Sequence, residues 1–254
     1  MTTKTSRFLS THVSPSSDGR GAKAFQNTIL HSLPRKELDA VFAKLERVDL
    51  PHQTVLHEPG KPIKFGYFIN GGLASILNVM SDGKSVEVGL TGREGFVGIP
   101  LIVGFRSSPS LAVMQVAGSG LRFRAENLAK ILNACPRLRT ILNRYSQELM
   151  MQSTQIAACN RVHEVEARLA RWLLMSQDRL ESDIVPLTQQ SLANMLGTRR
   201  ASVTVAAGIL QKAGLITYNR GTLKIEKRSR LETASCECYR RLNEQFRRWQ
   251  RESE

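Results

Sequence analysis

The spacing of hydrophobic residues changes along the chain and divides it into regions. Near the N-terminus Leu38, Val41, Phe42 and Leu45 recur at helical spacing, which predicts helices at 25–30 and 34–45, with Pro34 in the first turn of the second. From about residue 48 to 123 apolar and polar residues alternate, which predicts strands at 54–56, 66–70, 73–79, 85–90 and 111–116. Turns are expected at 59–60, 70–72, 82–83 and 118–120, where glycines occur. Short antiparallel strands at this spacing predict a double-sheet roll.

A long helix is predicted from Pro136 to about Asn160, where a hinge is expected. Residues in it recur at alternating steps of four and three, which is the heptad pattern of a coiled coil. This seam consists of Leu138, Leu142, Tyr145, Leu149, Gln152, Ile156 and Cys159. Because the chain has no second long heptad helix, a parallel homodimer contact is the economical interpretation. The alternative is that the seam packs on the roll.

Residues 186–216 have the pattern of a helix-turn-helix, with helices predicted at 188–196 and 199–213. Thr188 and Thr198 are placed to cap the two helices, and Gly197 can take the positive φ that ends the first. Four positions of the second helix are expected to pack on Leu192 and Leu196; they are Val203, Ala206, Ala207 and Leu210. The outer face then carries Arg199, Arg200, Ser202, Thr204 and Val205, mostly groups that donate to phosphates and base edges.

The residues after the helix pair predict a wing. Strands are expected at 215–218 and 222–226, joined by a turn at 219–221. Between residues 186 and 230 there are eight Lys or Arg and one acid, Glu226, which gives +7, half of the chain's net charge of +14. A compact positive surface of this kind neutralises phosphates. An ordinary amphipathic hairpin with a solvated basic end is the alternative.

Composition agrees with a globular protein that binds an acidic partner. The chain has 254 residues, 41% of them hydrophobic, which is enough for two domains. A net charge of +14 favours nucleic acid or a membrane surface, and the helix pair favours nucleic acid. The longest apolar stretch, 96–105, is too short to span a bilayer, and no membrane partner is expected. Residues 1–24 lack the apolar core of a secretory signal, so a flexible tail and a cytoplasmic protein are predicted.

These patterns predict an α+β protein in five parts. They are a tail at 1–24, a β-roll sensor domain at 25–135, a dimerisation helix at 136–160, a winged helix-turn-helix at 161–230 and a C-terminal helical tail at 231–254. The four cysteines Cys135, Cys159, Cys236 and Cys238 form neither a secretory framework nor a CxxC zinc pattern. Cys236 and Cys238 are interpreted as packed or free thiols, with redox sensing as the alternative, and no metal site is predicted.

The order of the predicted elements resembles that of the CRP/FNR family of bacterial transcription regulators over about residues 25–230. In both, a jelly roll is followed by a long helix and then by a winged helix-turn-helix. The most specific matches are LTQQSLANMLGTRRASV with the trailing LQKAGLI, and GREGFVGIPLIVG at residues 92–104. The resemblance implies a homodimeric cytoplasmic regulator that reads a palindromic promoter site and that contacts RNA polymerase. It also implies that Thr188, Gln189 and Gln190 lie at the mouth of the DNA groove.

The effector positions depart from those of relatives that bind cyclic AMP. Those relatives carry a Gly-Glu pair and an Arg-Ser or Arg-Thr pair, whereas this chain has Gly98 followed by Ile99, and Pro109 where the arginine belongs. A buried phosphate without a facing guanidinium would be uncompensated. Cyclic AMP is therefore not expected as the effector, although Arg106 could act in a shifted register. The candidate pocket residues are Phe96, Gly98, Ile99, Arg106, Pro109 and Ser110, and the effector is otherwise unknown.

Other sensors of the family are also not expected. Oxygen-sensing members hold an iron-sulfur cluster with N-terminal cysteines, which residues 1–24 lack. His52 and His57 are interpreted as surface or hydrogen-bonded structural residues rather than haem ligands. No grouping of residues has the motif context of an enzyme. A regulatory or scaffold module that acts through protein contacts is the alternative function.

The recognition helix departs from its relatives at two positions. Members that read the common half-site carry Arg-Glu at the start of this helix and a second arginine four residues after the glutamate. Arg200 matches the first arginine, while Ala201 and Val205 replace the other two. Because a carboxylate accepts from cytosine and an arginine grips guanine, readout at two positions of each half-site is expected to be lost.

Overall fold

The computed structural model describes residues 25–252, so the tail predicted for residues 1–24 lies outside the described part. Two short helices, α1 (Thr28–His31) and α2 (Arg35–Phe42), come first. Both are shorter than predicted. Helix α1 begins only after its N-cap, Asn27, whose side chain accepts from the Leu30 amide. Pro34, predicted within the first turn, is the N-cap of α2. The predicted apolar face of α2 packs against the core beneath it.

Six strands form one antiparallel sheet. They are β1 (Glu46–Leu50), β2 (Val55–His57), β3 (Phe65–Val79), β4 (Ser85–Thr91), β5 (Phe96–Val97) and β6 (Leu111–Arg124). The long strands β3 and β6 pair along most of their length. One end of this pair carries β1 and β5, and the other end carries β2 and β4. The sheet therefore consists of two four-stranded halves, which is the predicted roll.

Two predicted turns are wrong, because their glycines lie inside continuous strands. Residues 70–72 belong to β3 and residues 118–120 to β6, where the pairing register shifts on either side of Gly71. A Cβ on Gly118 would lie 1.9 Å from the Gly71 carbonyl oxygen, and Gly72 has φ +82°. These glycines allow two backbones to approach closely at the bend of the roll. The turn at Gly83 is confirmed, with the Met80 amide donating to the Lys84 carbonyl at 2.8 Å.

Helix α3 (Ile99–Ile102) lies between β5 and β6. After β6 come a short 3-10 turn at Ala125–Asn127 and the helices α4 (Leu128–Ala134) and α5 (Pro136–Val162). Pro136 opens α5 as predicted. The helix α6 (Val165–Leu180) begins after an extended residue, His163. The break between α5 and α6 is thus within three residues of the predicted hinge at Asn160.

The seam of α5 packs on the chain's own roll, which was the alternative interpretation. Six of its seven residues are buried within the single chain, and Leu149 is half-buried. The Tyr145 hydroxyl lies 2.9 Å from the Thr91 hydroxyl, and the Gln152 side chain accepts from the Leu90 amide. Heptad spacing reports that one face of a helix is buried, but it does not tell whether the covering surface belongs to another chain. The seam therefore gives no evidence of a partner.

The remainder is a winged helix-turn-helix with a C-terminal helix. It consists of β7 (Ile184–Pro186), α7 (Gln189–Leu196), α8 (Arg200–Lys212), β8 (Ile216–Asn219), β9 (Thr222–Ile225), α9 (Arg228–Ala234) and α10 (Cys238–Arg251). The wing is a three-stranded sheet in the order β7-β9-β8. Strand β7 was not predicted, because three residues that end in proline show no alternation of their own.

The winged domain is docked on the roll. Leu73, Leu77 and Leu90 of the roll share one apolar cluster with the core of the helix-turn-helix. A Cβ on Gly197, between α7 and α8, would lie 2.8 Å from the Val86 side chain of β4. The two domains therefore form a continuous packed body in the described chain. No described helix combines the length and hydropathy that a membrane span needs.

Candidate nucleic-acid interface

The turn between α7 and α8 is fixed by its backbone. Thr188 caps α7 as predicted, with its hydroxyl accepting from the Ser191 amide at 3.1 Å, and Gly197 has φ +57°. Thr198 was predicted to cap α8, which is wrong, since Arg199 is the N-cap and makes no side-chain cap bond. The Thr198 amide instead donates to the Ala193 carbonyl at 3.0 Å, which closes the C-terminus of α7. Thr198 therefore completes the first helix, and the second begins one residue later.

Helix α8 divides into the predicted inner and outer faces. Val203, Ala206, Ala207 and Leu210 are buried in one cluster with Leu192 and Leu196. Arg199, Arg200, Thr204 and Val205 are exposed, Val205 by 63%, while Ser202 is half-buried. The exposed side is one that a DNA groove could receive, because an α-helix fits the width of the major groove.

The start of α7, the outer face of α8 and the wing tip lie together. The Thr204 hydroxyl donates to the Gln189 side-chain oxygen at 2.9 Å, which joins α8 to the first turn of α7. At the wing tip, a Cβ on Gly221 would lie 3.8 Å from the Thr188 side chain. The Tyr218 hydroxyl donates to the Leu187 carbonyl at 2.8 Å. Burial raises the pKa of Tyr218, and the nearby charge of Arg200 opposes that rise.

The positive charge of this region is mostly exposed. Of its eight cations, seven are exposed; they are Arg199, Arg200, Lys212, Arg220, Lys224, Lys227 and Arg230. The eighth, Arg228, is part of an internal network in which it donates to Asp178 at 2.7 Å and to the Tyr239 hydroxyl at 2.6 Å. Burial and the hydrogen bond to Asp178 raise the pKa of Tyr239 to about 12. Arg228, which is half-buried, therefore connects the C-terminal helix to α6.

The predicted effector residues do not converge on one pocket. Phe96 is fully buried and stacked on Phe123, with ring centroids 5.9 Å apart, so it belongs to the core. Of the six predicted residues, Arg106 alone lines an open cavity of about 600 Å³, together with Phe65 and Ile102. The Ser110 hydroxyl instead donates to Asn78 of β3 at 2.8 Å. The roll interior is filled by Val48, Leu50, Leu56, Tyr67, Ile69, Ala74, Val97, Ala112 and Met114.

The two histidines of the roll differ in burial. His52 is exposed, as expected. His57 is buried, and its Nδ1 has no hydrogen-bond partner among the described residues. Burial lowers the pKa of His57, which favours the neutral ring.

A buried carboxyl lies where the roll meets the winged domain, and the sequence reasoning missed it. Glu87 of β4 accepts from the Ser75 hydroxyl at 2.5 Å and from Trp172 Nε1 of α6 at 2.8 Å. Burial raises the pKa of Glu87 to about 7, although both hydrogen bonds and the charges of Arg171 and Arg179 oppose the rise. The available signal was a glutamate at an inward position of an alternating strand.

A cluster of four potential metal ligands was also missed. The side chains of Cys159, His163, Cys236 and Cys238 meet at the break between α5 and α6, with their ligand atoms within 4.8 Å of one another. The available signal was the spacing of Cys159 and His163, four residues apart, but Cys159 had been assigned to the seam. Cys135 lies elsewhere and donates to Glu37 at 2.7 Å.

Comparison with known proteins gives one family match and many structural matches. A family described as the Crp-like helix-turn-helix domain matches residues 167–234. A search of curated protein sequences found no significant match. FixK2 from Bradyrhizobium japonicum is similar in structure, with a TM-score of 0.65 and 15% identity over 76% of this chain and 98% of that one.

Two further structures are similar to the same extent. The c-di-GMP responsive global regulator CLP from Xanthomonas campestris has a TM-score of 0.63 and 19% identity over 74% of this chain and 97% of that one. TTHA1359, a CRP/FNR family regulator from Thermus thermophilus, has a TM-score of 0.63 and 20% identity over 75% and 98%. These likenesses show a shared fold.

Proposed function

We infer that this chain is a CRP/FNR-type transcription regulator that binds specific DNA sites as a cytoplasmic homodimer. The inference is supported by the fold that the chain shares with CRP/FNR regulators and by its Crp-like helix-turn-helix domain. The observation that carries the proposal is the exposed basic surface formed by α7, α8 and the wing. Its exposed cations and the hydroxyl and amide groups of Thr188, Gln189, Gln190 and Thr204 suit phosphate contacts, and Arg200 suits a guanine edge.

The site that it reads differs from that of relatives with the common half-site. Ala201 and Val205 are both exposed on the outer face of α8 and offer neither a carboxylate nor a guanidinium. Val205 instead presents a branched apolar group that suits a thymine methyl. Readout therefore rests on Arg200 and the polar groups beside it.

Selection of bound sequences from random duplexes with the full chain tests this proposal. The enriched duplex is then used in fluorescence anisotropy with wild type, Arg200→Ala and the control Arg240→Ala, an exposed arginine on α10. Arg200→Ala should lose about 1 to 3 kcal/mol, roughly 5- to 150-fold in affinity, and relax one base position. Arg240→Ala should keep the base preference.

Salt dependence separates phosphate contacts from base contacts. Arg220→Ala at the wing tip should lower the slope of log affinity against log salt by about one per protomer without changing the preferred sequence. If no sequence is enriched and binding does not depend on salt, a module that acts through protein contacts is the better reading.

A homodimer would pair through the side of α5 that faces away from the roll. Exposed residues recur there at steps of four and three; they are Asn143, Gln147, Met150, Thr154 and Ala157. Met150 is 56% exposed, which is unusual for a large apolar side chain on a long helix. Two-fold pairing there would present two copies of α8 to a palindromic site. Contact with RNA polymerase stays a prediction.

Cyclic AMP is not the proposed effector. Ile99 and Pro109 stand where a carboxylate and a guanidinium would be needed, and the interior of the roll is filled by apolar side chains. A charged phosphate there would be buried without a partner, which costs several kcal/mol. Calorimetry with cyclic AMP should therefore give no heat of binding at micromolar ligand, and a saturable isotherm would contradict this.

A further inference from the structure

Four side chains from two distant stretches of the chain meet at the break between α5 and α6. Cys159 ends the buried face of α5, His163 follows it by one helical turn, and Cys236 and Cys238 flank the start of α10. The Cys159 and Cys236 sulfurs are 3.4 Å apart, and the Cys238 sulfur is 3.7 Å from His163 Nδ1. All four ligand atoms lie within 4.8 Å of one another.

We propose that Cys159, His163, Cys236 and Cys238 bind one Zn²⁺ ion as a closed structural centre. Tetrahedral zinc with Zn–S near 2.3 Å and Zn–N near 2.0 Å places its ligand atoms about 3.5 to 3.8 Å apart. The separations of 3.4 Å between the Cys159 and Cys236 sulfurs and 3.7 Å between the Cys238 sulfur and His163 Nδ1 are already in or near that range. Side-chain shifts of about 1 Å or less would complete the tetrahedron. Binding converts the three thiols to thiolates, and their protons pass to solvent.

The groups around the four ligands also fit a zinc centre. His163 turns Nδ1 toward the sulfurs, and its Nε2 lies 2.9 Å from the Glu237 carboxylate. Zinc-bound histidines commonly donate their second ring N–H to a carboxylate, which orients the ring. Gln155 Nε2 donates to the Cys238 sulfur at 3.0 Å. These contacts fix two of the four ligands from outside.

Two buried arginines supply the charge that such a centre requires. Zinc with three thiolates carries a net charge of −1, which is costly to bury alone. Arg168 and Arg171 are both buried, and their charges act on Cys159. Within residues 25–252 neither forms an ion pair with a carboxylate within 4 Å, and the Nε atom of each lacks a hydrogen-bond partner. An anionic centre beside them would supply a counter-charge to both guanidiniums, which for Arg171 adds to that of Glu87.

The three cysteines are all buried, and four protein ligands leave no coordination position open for water or substrate. The centre is therefore structural rather than catalytic. His163 is two residues before α6, Cys236 precedes α10, and Cys238 is the first residue of α10. The ion would therefore connect the end of the long helix to the C-terminal helix. It would thereby set the angle at which the winged domain leaves α5.

Cobalt titration of the full chain, after chelator treatment under reducing conditions, tests the site without reference to DNA binding. The expected result is thiolate-to-cobalt charge transfer and the visible absorption of tetrahedral Co²⁺, saturating at one ion per chain and removed by Zn²⁺. Cys135→Ser, a buried cysteine outside the cluster, should saturate identically. Cys159→Ser and Cys238→Ser should lose the charge-transfer band in proportion to the thiolates removed.

Glu237→Gln tests the orientation of the histidine by the carboxylate. It should weaken Co²⁺ binding by about 10- to 100-fold while keeping the same spectrum, because all four ligands remain. The proposal is overturned if the wild-type protein develops no tetrahedral cobalt spectrum. This result does not depend on whether any of the variants folds. Purified protein that carries iron with inorganic sulfide would also overturn it. So would a Cys159–Cys236 disulfide that has to be reduced before any thiol of the cluster can be titrated.

Discussion

Replacing Glu87 by Gln should stabilise the folded chain above neutral pH. The carboxyl is buried between β4 and α6, where it accepts from Ser75 and Trp172. Glutamine has nearly the same shape, and its oxygen can still accept from Trp172 while its amide donates to the Ser75 hydroxyl. The substitution therefore removes the cost of burying a charge and keeps both contacts.

The magnitude follows from the difference between the two states of the protein. The Glu87 carboxyl has an ordinary pKa of 4.5 in the unfolded chain and a pKa of about 7 in the folded one. Between these values the folded chain holds a proton that the unfolded chain has lost, so the free energy of unfolding falls as pH rises. At about 1.4 kcal/mol per pKa unit, the difference amounts to roughly 3 kcal/mol by pH 8.

Urea unfolding at pH 5 and pH 8 measures this contribution. Glu148 also has its pKa raised to about 7, by burial and the charge of Glu94, so wild type alone would mix two groups. The difference between Glu87→Gln and wild type cancels the other groups and should increase by about 2 to 3 kcal/mol from pH 5 to pH 8. Glu126→Gln, an exposed carboxyl on the roll, is the matched control and should give no such increase.

Two outcomes would refute this reasoning. A difference that stays constant with pH would mean that Glu87 is already ionised in the folded chain at pH 5, so that its pKa is not raised. A Glu87→Gln variant less stable than wild type at pH 8 would mean that the ionised carboxylate is stabilised by Arg171 and Arg179 more than burial penalises it.

Three further predictions concern the roll, α8 and α5. Gly118→Ala should lower the free energy of unfolding by about 2 kcal/mol or more, because its Cβ would meet the Gly71 carbonyl. Gly208→Ala, in open space on α8, should instead raise the free energy of unfolding by about 0.5 to 1 kcal/mol in the same urea experiment. Met150→Glu should weaken self-association at least tenfold in sedimentation equilibrium, whereas the equally exposed Met80→Glu should not.

The periodicity of the sequence predicted most elements, since burial on one face leaves a direct trace in the pattern. It failed where one residue type serves two purposes. Glycines at 71 and 118 were assigned to turns, although they permit close backbone approach within long strands. The seam of α5 was assigned to a partner chain, although it packs on the roll of the same chain. The spacing of hydrophobic residues is the same in both cases and cannot distinguish them.

The candidate sites divide in a similar way. The outer face of α8 was predictable, because neighbouring residues on one helix determine it. The cluster of Cys159, His163, Cys236 and Cys238 was not, since Cys159 and Cys236 are 77 residues apart along the chain. Only the packing of α10 on α5 brings its two halves together. Burial raises the pKa of Glu87, and the partner that accompanies this burial, Trp172 of α6, is 85 residues away along the chain, beyond the reach of a local pattern.

The contact between Gly197 and Val86, with the apolar cluster that continues from the roll into the helix-turn-helix, has a thermodynamic consequence for recognition. A recognition helix in a flexibly linked domain would lose rotational freedom each time it bound in a DNA groove. In this chain the orientation of the helix is already fixed by folding, because the two domains bury apolar surface where they meet. For the proposed dimer, the entropy penalty on meeting DNA would be correspondingly smaller, and a swing of the domain could not accommodate an operator with the wrong half-site spacing.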